Sequence, residues 1–407
     1  SWITLCIFGS FPFYFTHHIP HFTNALFETV SGFTTTGASI LTEIESLPPG
    51  LLLWRDMTQW LGGMGMIVLA LAILPFLGSG GMQLYWTEVP GPVQEKLHPR
   101  IKDTAKTLWK VYVLITLLGI GFLYFGGMDL WEATCNVFGA ISTGGFNPRN
   151  TSIAAYHSIY VDTVIIGLMY AGGINFFLHY WLLKGRPSKM VKDPEWRFYT
   201  VLLASITLII ALSIYASGVY SNIFQAFRYS AFQVVSIGTA TGFATADYEL
   251  WTPLAQVLLL LSMFGIGCAG STSGGIKSIR TIVVLKTTYK EIRQLIHPKG
   301  VIPIKVRGSV VTSEILNSIW GLFVLYITII AIGTILLAGT GEDFITALSA
   351  VMSCMGGVGP GLGAVGPTDN YFHLSLTAKW VLMSCMLLGR LEIYSVLVLL
   401  TPSFWSA

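Results

Sequence analysis

Four short tracts of small residues carry the chemistry this chain has to offer. Ser31-Gly32-Phe33-Thr34-Thr35-Thr36-Gly37-Ala38-Ser39 is rich in hydroxyls and poor in side-chain bulk. It presents backbone carbonyls and threonine hydroxyls, hard oxygen ligands suited to a dehydrated cation. Ile141-Ser142-Thr143-Gly144-Gly145-Phe146 and Gly238-Thr239-Ala240-Thr241-Gly242-Phe243-Ala244 repeat its character. Met355-Gly356-Gly357-Val358-Gly359-Pro360-Gly361 repeats it more faintly. A single tract of this kind is a turn; four at intervals of roughly a hundred residues are an internal repeat. Anchored on Gly37, Gly144, Gly242 and Gly359, the carbonyls expected to face a cation are those just before each glycine. They belong to Thr35 and Thr36, Ser142 and Thr143, Ala240 and Thr241, and Gly357 and Val358. Glycine is needed because the tract must turn its carbonyls inward, which a residue without Cβ does at no steric cost.

The elements that position the tracts follow from composition. Of 407 residues, 53% are hydrophobic and 11% charged, against about 25% charged in a soluble domain. This is the balance of an integral membrane protein. Its apolar runs are continuous rather than alternating, so they predict helices and not a β-barrel. A span needs about 20 apolar residues, and the candidates are Leu51–Leu77, Lys106–Phe125, Ile159–Leu183, Phe198–Ser217, Leu254–Ile279, Ile315–Ala338 and Leu374–Leu400. Trp2–Phe15 has the look of a truncated first span. Between the members of each pair lies a segment too short to cross: Phe22–Val30, Leu130–Ala140, Asn222–Val235 and Glu342–Met355. Each is expected to be re-entrant, because irregular backbone at membrane depth survives only where it lines protein or water. The expected fold is all-α, with four pseudo-symmetric helix–pore loop–helix repeats around one pore. Their bounds are 1–78 (first helix truncated), 79–190, 191–300 (second helix broken) and 301–407. Half-helix C-termini aimed inward bring partial negative charge to a central cation.

Charge sets the orientation. Most of the 23 Lys and Arg residues fall in the connections 78–110, 184–197 and 277–307, which the positive-inside rule makes cytoplasmic. Arg55, Arg149, Arg228 and Lys379 are left outside. So are Glu28, Glu43, Glu45, Asp56, Asp129, Glu132, Asp162, Asp247, Glu249, Glu342, Asp343 and Asp369. Some of these acids are expected to cap half-helices, and the rest to form an acidic mouth that concentrates cations. Lys379 reads as a snorkelling side chain, the cluster His17, His18 and His21 as interfacial, and Asp162 as a surface or capping group. Cys6, Cys135, Cys268, Cys354 and Cys385 have no metal or disulfide spacing.

Two features interrupt the spans. Residues 254–269 are apolar, then Gly270-Ser271-Thr272-Ser273-Gly274-Gly275 breaks the helix, which is expected to resume at Ile276 or Lys277. Such interruptions inside a span mark function. The segment is close to a phosphate-binding loop, but that loop needs lysine directly after its second glycine and a preceding strand; here Ile276 intervenes and the preceding segment is helical. Arg390 lies mid-span in the last helix, where a buried cation is by default functional. Its alternative is an ion pair with Glu392 or another acid.

Together these features resemble the Trk/Ktr/HKT superfamily of potassium transporters, and in particular its TrkH-type members. The resemblance rests on Thr34–Ala38, Ser142–Phe146, Thr239–Phe243 and Gly357–Gly361, and also on Gly270–Lys277 and Gly389-Arg390-Leu391-Glu392-Ile393-Tyr394. It runs over essentially the whole chain. It implies potassium uptake across the cell membrane, a homodimer with one pore per protomer, and a cytosolic TrkA-like ring that binds nucleotides. It implies a K⁺ filter at Thr35, Thr36, Gly37, Ser142, Thr143, Gly144, Ala240, Thr241, Gly242, Gly357, Val358 and Gly359. In this family a serine in place of the first tract's glycine goes with Na⁺ permeation, so Gly37 implies K⁺. The resemblance also implies that Gly270, Ser271, Thr272, Ser273, Gly274 and Gly275 block the pore beneath the filter, with Arg390 lining it. The chain departs from the family in lacking the usual N-terminal helix pair, and in Gly356-Gly357 where many relatives carry asparagines.

The expected function is a gated K⁺-selective conduit, with K⁺ as cargo, the lipid bilayer as surroundings, and no organic cofactor, nucleic-acid partner or enzymatic chemistry. The alternatives are an H⁺- or Na⁺-coupled K⁺ transporter and a Na⁺-permeable relative. A coupled mechanism needs an ionisable group cycling at mid-membrane, and no carboxylate or His is clearly placed there by the sequence.

Overall fold

The structure is a computed structural model that describes residues 2–72, 101–298, 300, 302–399 and 401. One succession of elements recurs along it. Helix α1 (Trp2–Phe15) is followed by the short α2 (Phe22–Phe33), a tract, and α3 (Pro49–Ala72). Helix α4 (Ile101–Phe125) is followed by the short α5 (Leu130–Ile141), a tract, α6 (Ile159–Gly172), α7 (Phe176–Leu183) and the one-turn α8 (Pro187–Val191). Helix α9 (Pro194–Ala216) precedes the short α10 (Ile223–Gly238), a tract, α11 (Pro253–Ser262) and α12 (Ser278–Ile296). A hairpin of β1 (Lys305–Val306) and β2 (Ser309–Val310) leads into α13 (Ser313–Ala338), the short α14 (Phe344–Gly356), a tract, α15 (Leu376–Arg390) and α16 (Ile393–Leu399).

Three of these helices are continuous and apolar enough to cross a bilayer by themselves: α4 from Asp103 onward, α9 and α13. Their outward faces carry Leu117, Phe122, Val201, Leu208, Ile327 and Ile335, all exposed. Large exposed apolar stripes of this kind belong against lipid. The protein is an all-α, multi-pass membrane protein.

The helices that follow the tracts are less regular than their hydrophobicity predicts. Ile159–Leu183, expected as one span, is two helices meeting at 107°. Asn175, buried at the corner, starts the second by accepting the Phe177 N–H at 2.8 Å, as a helix N-cap does. The sixth span is broken over 263–277, from Met263 rather than Gly270, and helix resumes at Ser278. Its apolar residues still look helical in sequence, but their N–H groups bond across the molecule. Ile266 donates to the Gly238 carbonyl at 2.9 Å and Cys268 to that of Gly173 at 2.9 Å. The last span ends at Arg390 and restarts at Ile393, with Glu392 at φ 60°. The C-terminal part of Leu51–Leu77 beyond Ala72, and residues 78–100 of the connection 78–110, lie outside the described residues.

Several charges expected on the outer surface are inside the protein. Glu28 and Asp56 are buried, so neither contributes to an acidic mouth. Lys379 does not snorkel: it is 3% exposed and donates to Asn24 Oδ1 at 3.0 Å and to the Phe372 carbonyl at 2.8 Å. Asp162 is ion-paired with Arg228 at 2.7 Å. Asp129 and Asp343 do cap short helices. Asp129 accepts from the Trp131 N–H, and Asp343 from those of Ile345 and Thr346. Replacing a capping carboxylate costs about 1 kcal/mol. Asp343→Ala should therefore lower the unfolding midpoint in detergent slightly, while Asp343→Asn, which still caps, should not.

Candidate functional site

The four tracts share one backbone pattern. Each has positive φ at two positions separated by one residue: Thr35 and Gly37, Thr143 and Gly145, Ala240 and Gly242, Gly357 and Gly359. In an extended strand successive groups alternate between faces; alternating the sign of φ turns successive carbonyls toward one side. The intervening residue anchors the tract to its short helix. Thr36 N–H bonds to Ser31 O at 2.9 Å, Gly144 to Gly139 at 2.8 Å, Thr241 to Ser236 at 2.7 Å, and Val358 to Ser353 at 2.9 Å.

This pattern shifts the register of the second tract by one residue. Gly145, not Gly144, matches Gly37, Gly242 and Gly359, and the triplet is Thr143, Gly144 and Gly145. Ser142 is instead the C-cap of α5. Its hydroxyl donates to the Phe138 carbonyl at 2.6 Å, as Thr34 does to Val30 and Thr239 to Val235. Two adjacent glycines made the anchor ambiguous. The phenylalanine that follows both Gly145 and Gly242 was the signal that resolves it.

The tracts close into a ring. A Cβ built on Gly37 would lie 2.2 Å from the Gly144 carbonyl oxygen; on Gly145, 2.0 Å from that of Thr241; on Gly242, 2.0 Å from that of Val358; and on Gly359, 2.7 Å from that of Thr36. The order runs first tract to second, second to third, third to fourth, and fourth back to first. Each glycine thus backs directly onto the carbonyl of the next tract, and the four carbonyls of Thr36, Gly144, Thr241 and Val358 form one circle. The four glycines also line a single cavity of about 80 Å³, together with Arg55, Asn147, Asp369 and Tyr371.

Side chains the sequence did not single out hold this ring. Gln59, fully buried on α3, donates to the Gly144 carbonyl at 2.6 Å and accepts the Phe146 N–H at 2.9 Å. Glu28 and Arg55 form a buried ion pair at 2.6 Å. Glu28 also accepts from Ser39 Oγ and the Ile40 N–H, just after the first tract, both at 2.9 Å. Arg55 donates to the Asn147 carbonyl at 3.2 Å, just after the second, and lies 3.5 Å over the Phe146 ring. Tyr371 OH donates to the Gly359 carbonyl at 2.6 Å. The signal in the sequence is a pair of opposite charges flanking small-residue tracts on apolar helices; counting charges by side of the membrane places them on the surface instead.

The broken segment 263–277 packs against the inner ends of the short helices. The Thr272 hydroxyl lies 2.9 Å from the Ile141 carbonyl oxygen and 3.0 Å from that of Gly172, which share its one proton. A Cβ on Gly274 would lie 2.2 Å from the Gly356 carbonyl oxygen. Gly270 and Gly275 have positive φ. Ser271 and Ser273 satisfy the segment internally: Ser271 Oγ donates to the Cys268 carbonyl at 2.6 Å and accepts the Ser273 N–H at 3.3 Å. Arg390, 5% exposed, donates to the Thr272 carbonyl at 2.8 Å. Glu392 is not its partner; Glu392 pairs with Arg280 at 2.8 Å.

Comparison with known proteins agrees along the full chain. A family model described as TrkH, a cation transport protein, matches residues 1–406. The Trk system potassium uptake protein TrkH of Escherichia coli is 42% identical, over 99% of this chain and 84% of its own length. The Trk system potassium uptake protein TrkG of Escherichia coli is 37% identical over 99% of this chain and 83% of its own length. The crystal structure of the potassium transporter TrkH from Vibrio parahaemolyticus superposes with a TM-score of 0.90 at 36% identity, covering 99% of this chain and 84% of that one.

Two outcomes test the geometry. Gly145→Ala adds a Cβ where backbone already sits and at a positive φ, whereas Gly144→Ala meets the end of the Gln59 side chain. Selectivity measured by competitive ion flux should therefore fall much further in Gly145→Ala than in Gly144→Ala. Arg55→Ala leaves Glu28 buried without its counter-charge, which costs about 3–5 kcal/mol; its unfolding midpoint in detergent should drop sharply, and Glu28→Gln/Arg55→Met should recover part of the loss.

Proposed function

This chain belongs to the TrkH family of cation transport proteins, and we propose that its ring of four tracts is the K⁺ filter of a gated pore. The chain is a membrane protein of potassium uptake and not an enzyme. K⁺ is its cargo. The observation that carries the filter reading is the closed circle of Thr36, Gly144, Thr241 and Val358 carbonyls, each braced by a glycine of the preceding tract. Such a circle replaces a cation's hydration shell with fixed dipoles. Bracing by backbone keeps its radius from relaxing. The filter is then Thr35, Thr36 and Gly37; Thr143, Gly144 and Gly145; Ala240, Thr241 and Gly242; and Gly357, Val358 and Gly359. Its surroundings support four repeats, divided near residues 78, 190 and 300.

The basic connections 184–197 and 277–307 place the inner face in the cytoplasm, so the cavity bounded by the four glycines is the outer vestibule. The segment Gly270–Gly275 is the gate beneath the filter. It touches quarters of the ring that are not neighbours, through Ile141 on one side and Gly356 on the other. Arg390 places a fixed positive charge beside it and holds the Thr272 carbonyl. The name Trk system on the relatives supports a chain that works with other components. A homodimer with a cytosolic TrkA-like, nucleotide-binding ring is the arrangement the family resemblance supports.

Conduction rather than coupling fits the vestibule. The ionisable groups lining it are Arg55, Arg149, Asp369 and Tyr371, and the two arginines are ion-paired with Glu28 and Glu132. A reversal-potential measurement on purified protein in a bilayer, with K⁺ and Na⁺ on opposite sides and a superimposed proton gradient, tests this. The reversal potential should follow K⁺ and ignore the proton gradient, and Gly37→Ser should move it toward Na⁺. A shift with pH would point to coupled transport. Arg390→Ala should raise K⁺ flux. Removal of Gly270–Gly275 should raise it further, and the double change should add less than the two singles together, as coupled sites do.

A further inference from the structure

The hairpin β1–β2 reaches from the cytoplasmic connection to the base of the broken segment. Its two-residue turn, Arg307-Gly308, has positive φ at both positions, 50° and 84°, the geometry that closes a tight hairpin. The turn projects Arg307 inward. The guanidinium is paired with Asp193 at 2.8 Å and with Glu195 at 2.9 Å, and its side chain is 10% exposed. Glu195, at the start of α9, is fully buried.

The two oxygens of Glu195 are used differently. Oε2 takes the Nη2 of Arg307. Oε1 accepts the N–H of Ala269 at 2.7 Å and that of Ile279 at 3.2 Å. Those two residues flank Gly270–Gly275: Ala269 precedes it directly, and Ile279 lies in the first turn of α12. A single carboxylate oxygen therefore pins both ends of the segment, and the other oxygen is charge-compensated by the hairpin. A buried carboxylate is tolerated only while paired and hydrogen-bonded. Withdrawing Arg307 would leave it uncompensated and loosen its hold on both ends at once. Apart from Arg307, the hairpin is held by Lys286 Nζ, which donates to the Lys305 carbonyl at 2.7 Å, and by Val306 packed against Val283, Ile315 and Ile319; Ser309 and Val310 are exposed.

We propose that Glu195 is a positioning residue for the gate and that the hairpin, through Arg307, is its cytoplasmic handle: displacing the hairpin releases the two ends of the Gly270–Gly275 segment. Its consequence for flux rests on the reading of that segment as the gate; its structural part does not.

The experiment uses the full-length protein in proteoliposomes, with two readouts. Hydrogen exchange is followed across residues 269–279, and Rb⁺ uptake is followed alongside K⁺ over Na⁺ selectivity. Arg307→Ala removes the handle. Glu195→Gln keeps an Oε1 acceptor for the two N–H groups but turns an amide toward Arg307. Arg307→Lys retains the charge without the fork, and Arg390→Ala reports on the gate independently. Arg307→Ala and Glu195→Gln should both speed exchange across 269–279 and raise uptake by at least about fivefold, the low end of coupling between sites. Selectivity should not change, and Arg307→Lys should fall between wild type and Arg307→Ala. Unchanged exchange in both variants overturns the positioning role, whatever uptake does. Faster exchange with unchanged uptake, while Arg390→Ala raises uptake, overturns the handle as a control on flux. Unchanged uptake in Arg390→Ala as well, with faster exchange in the hairpin variants, overturns the gate reading and leaves the positioning role standing.

Discussion

The structure depends on backbone meeting backbone with nothing between. Four glycines place their α-carbons against the carbonyls of the next tract, and a Cβ at any of them would lie within 2.7 Å of a carbonyl oxygen. Real side chains do not come that close, so the circle exists only with glycine at Gly37, Gly145, Gly242 and Gly359. Everything else around the circle maintains that approach. The short helices end where the tracts begin, and their last turns supply the acceptors that fix each tract. Gln59, the Glu28–Arg55 pair and Tyr371 join neighbouring tracts from behind. Irregular backbone at membrane depth is tolerable here because the tract N–H groups of Thr36, Gly144, Thr241 and Val358 are satisfied by the short helices and the tracts line protein or a cavity.

The same closeness recurs one level below the tracts. Gly62 backs onto the Phe33 carbonyl, Gly172 onto that of Ile141, and Gly389 onto that of Met355. The helices after the tracts therefore press on the ends of the short helices through glycine. In the third quarter a hydrogen bond from the Ile266 N–H to the Gly238 carbonyl takes the place of that contact. A helix cannot spare an internal N–H for such a bond, because its own i−4 carbonyl claims it. The break in the third quarter, which frees the segment carrying Gly270–Gly275, follows from making that bond. Arg390 and Glu195 then hold the freed segment at different points, one at the Thr272 carbonyl and one at the Ala269 and Ile279 N–H groups.

Much of this was legible in the sequence. Apolar length placed the C-terminal ends of α4, α9 and α13 to within a residue, while their polar first turns made the expected starts, Lys106, Phe198 and Ile315, fall inside the helices; the small-residue tracts located the ring. Features set by contacts between distant residues were not legible. The corner at Gly173–Asn175 lies inside a run as apolar as any span. Met263–Ala269 continues an apolar helical run in sequence; partners distant along the chain, Gly238 in its own quarter and Gly173 in the second, take its N–H groups and unwind it. Buried charges were misplaced for a similar reason. Glu28, Arg55 and Lys379 look like surface residues until the acceptors and donors that neutralise them are seen. The register of the second tract failed on one ambiguous glycine pair, where local sequence gives two answers and the closure of the ring gives one.

The most direct test of the account is a crystallographic anomalous difference map of the protein soaked in Tl⁺ or Rb⁺, either of which substitutes for K⁺. The account predicts density on the axis of the ring, within reach of the Thr36, Gly144, Thr241 and Val358 carbonyls together, and its loss when Na⁺ replaces the heavier ion. Heavy-ion density confined to other sites, with the ring well ordered and vacant, would contradict it.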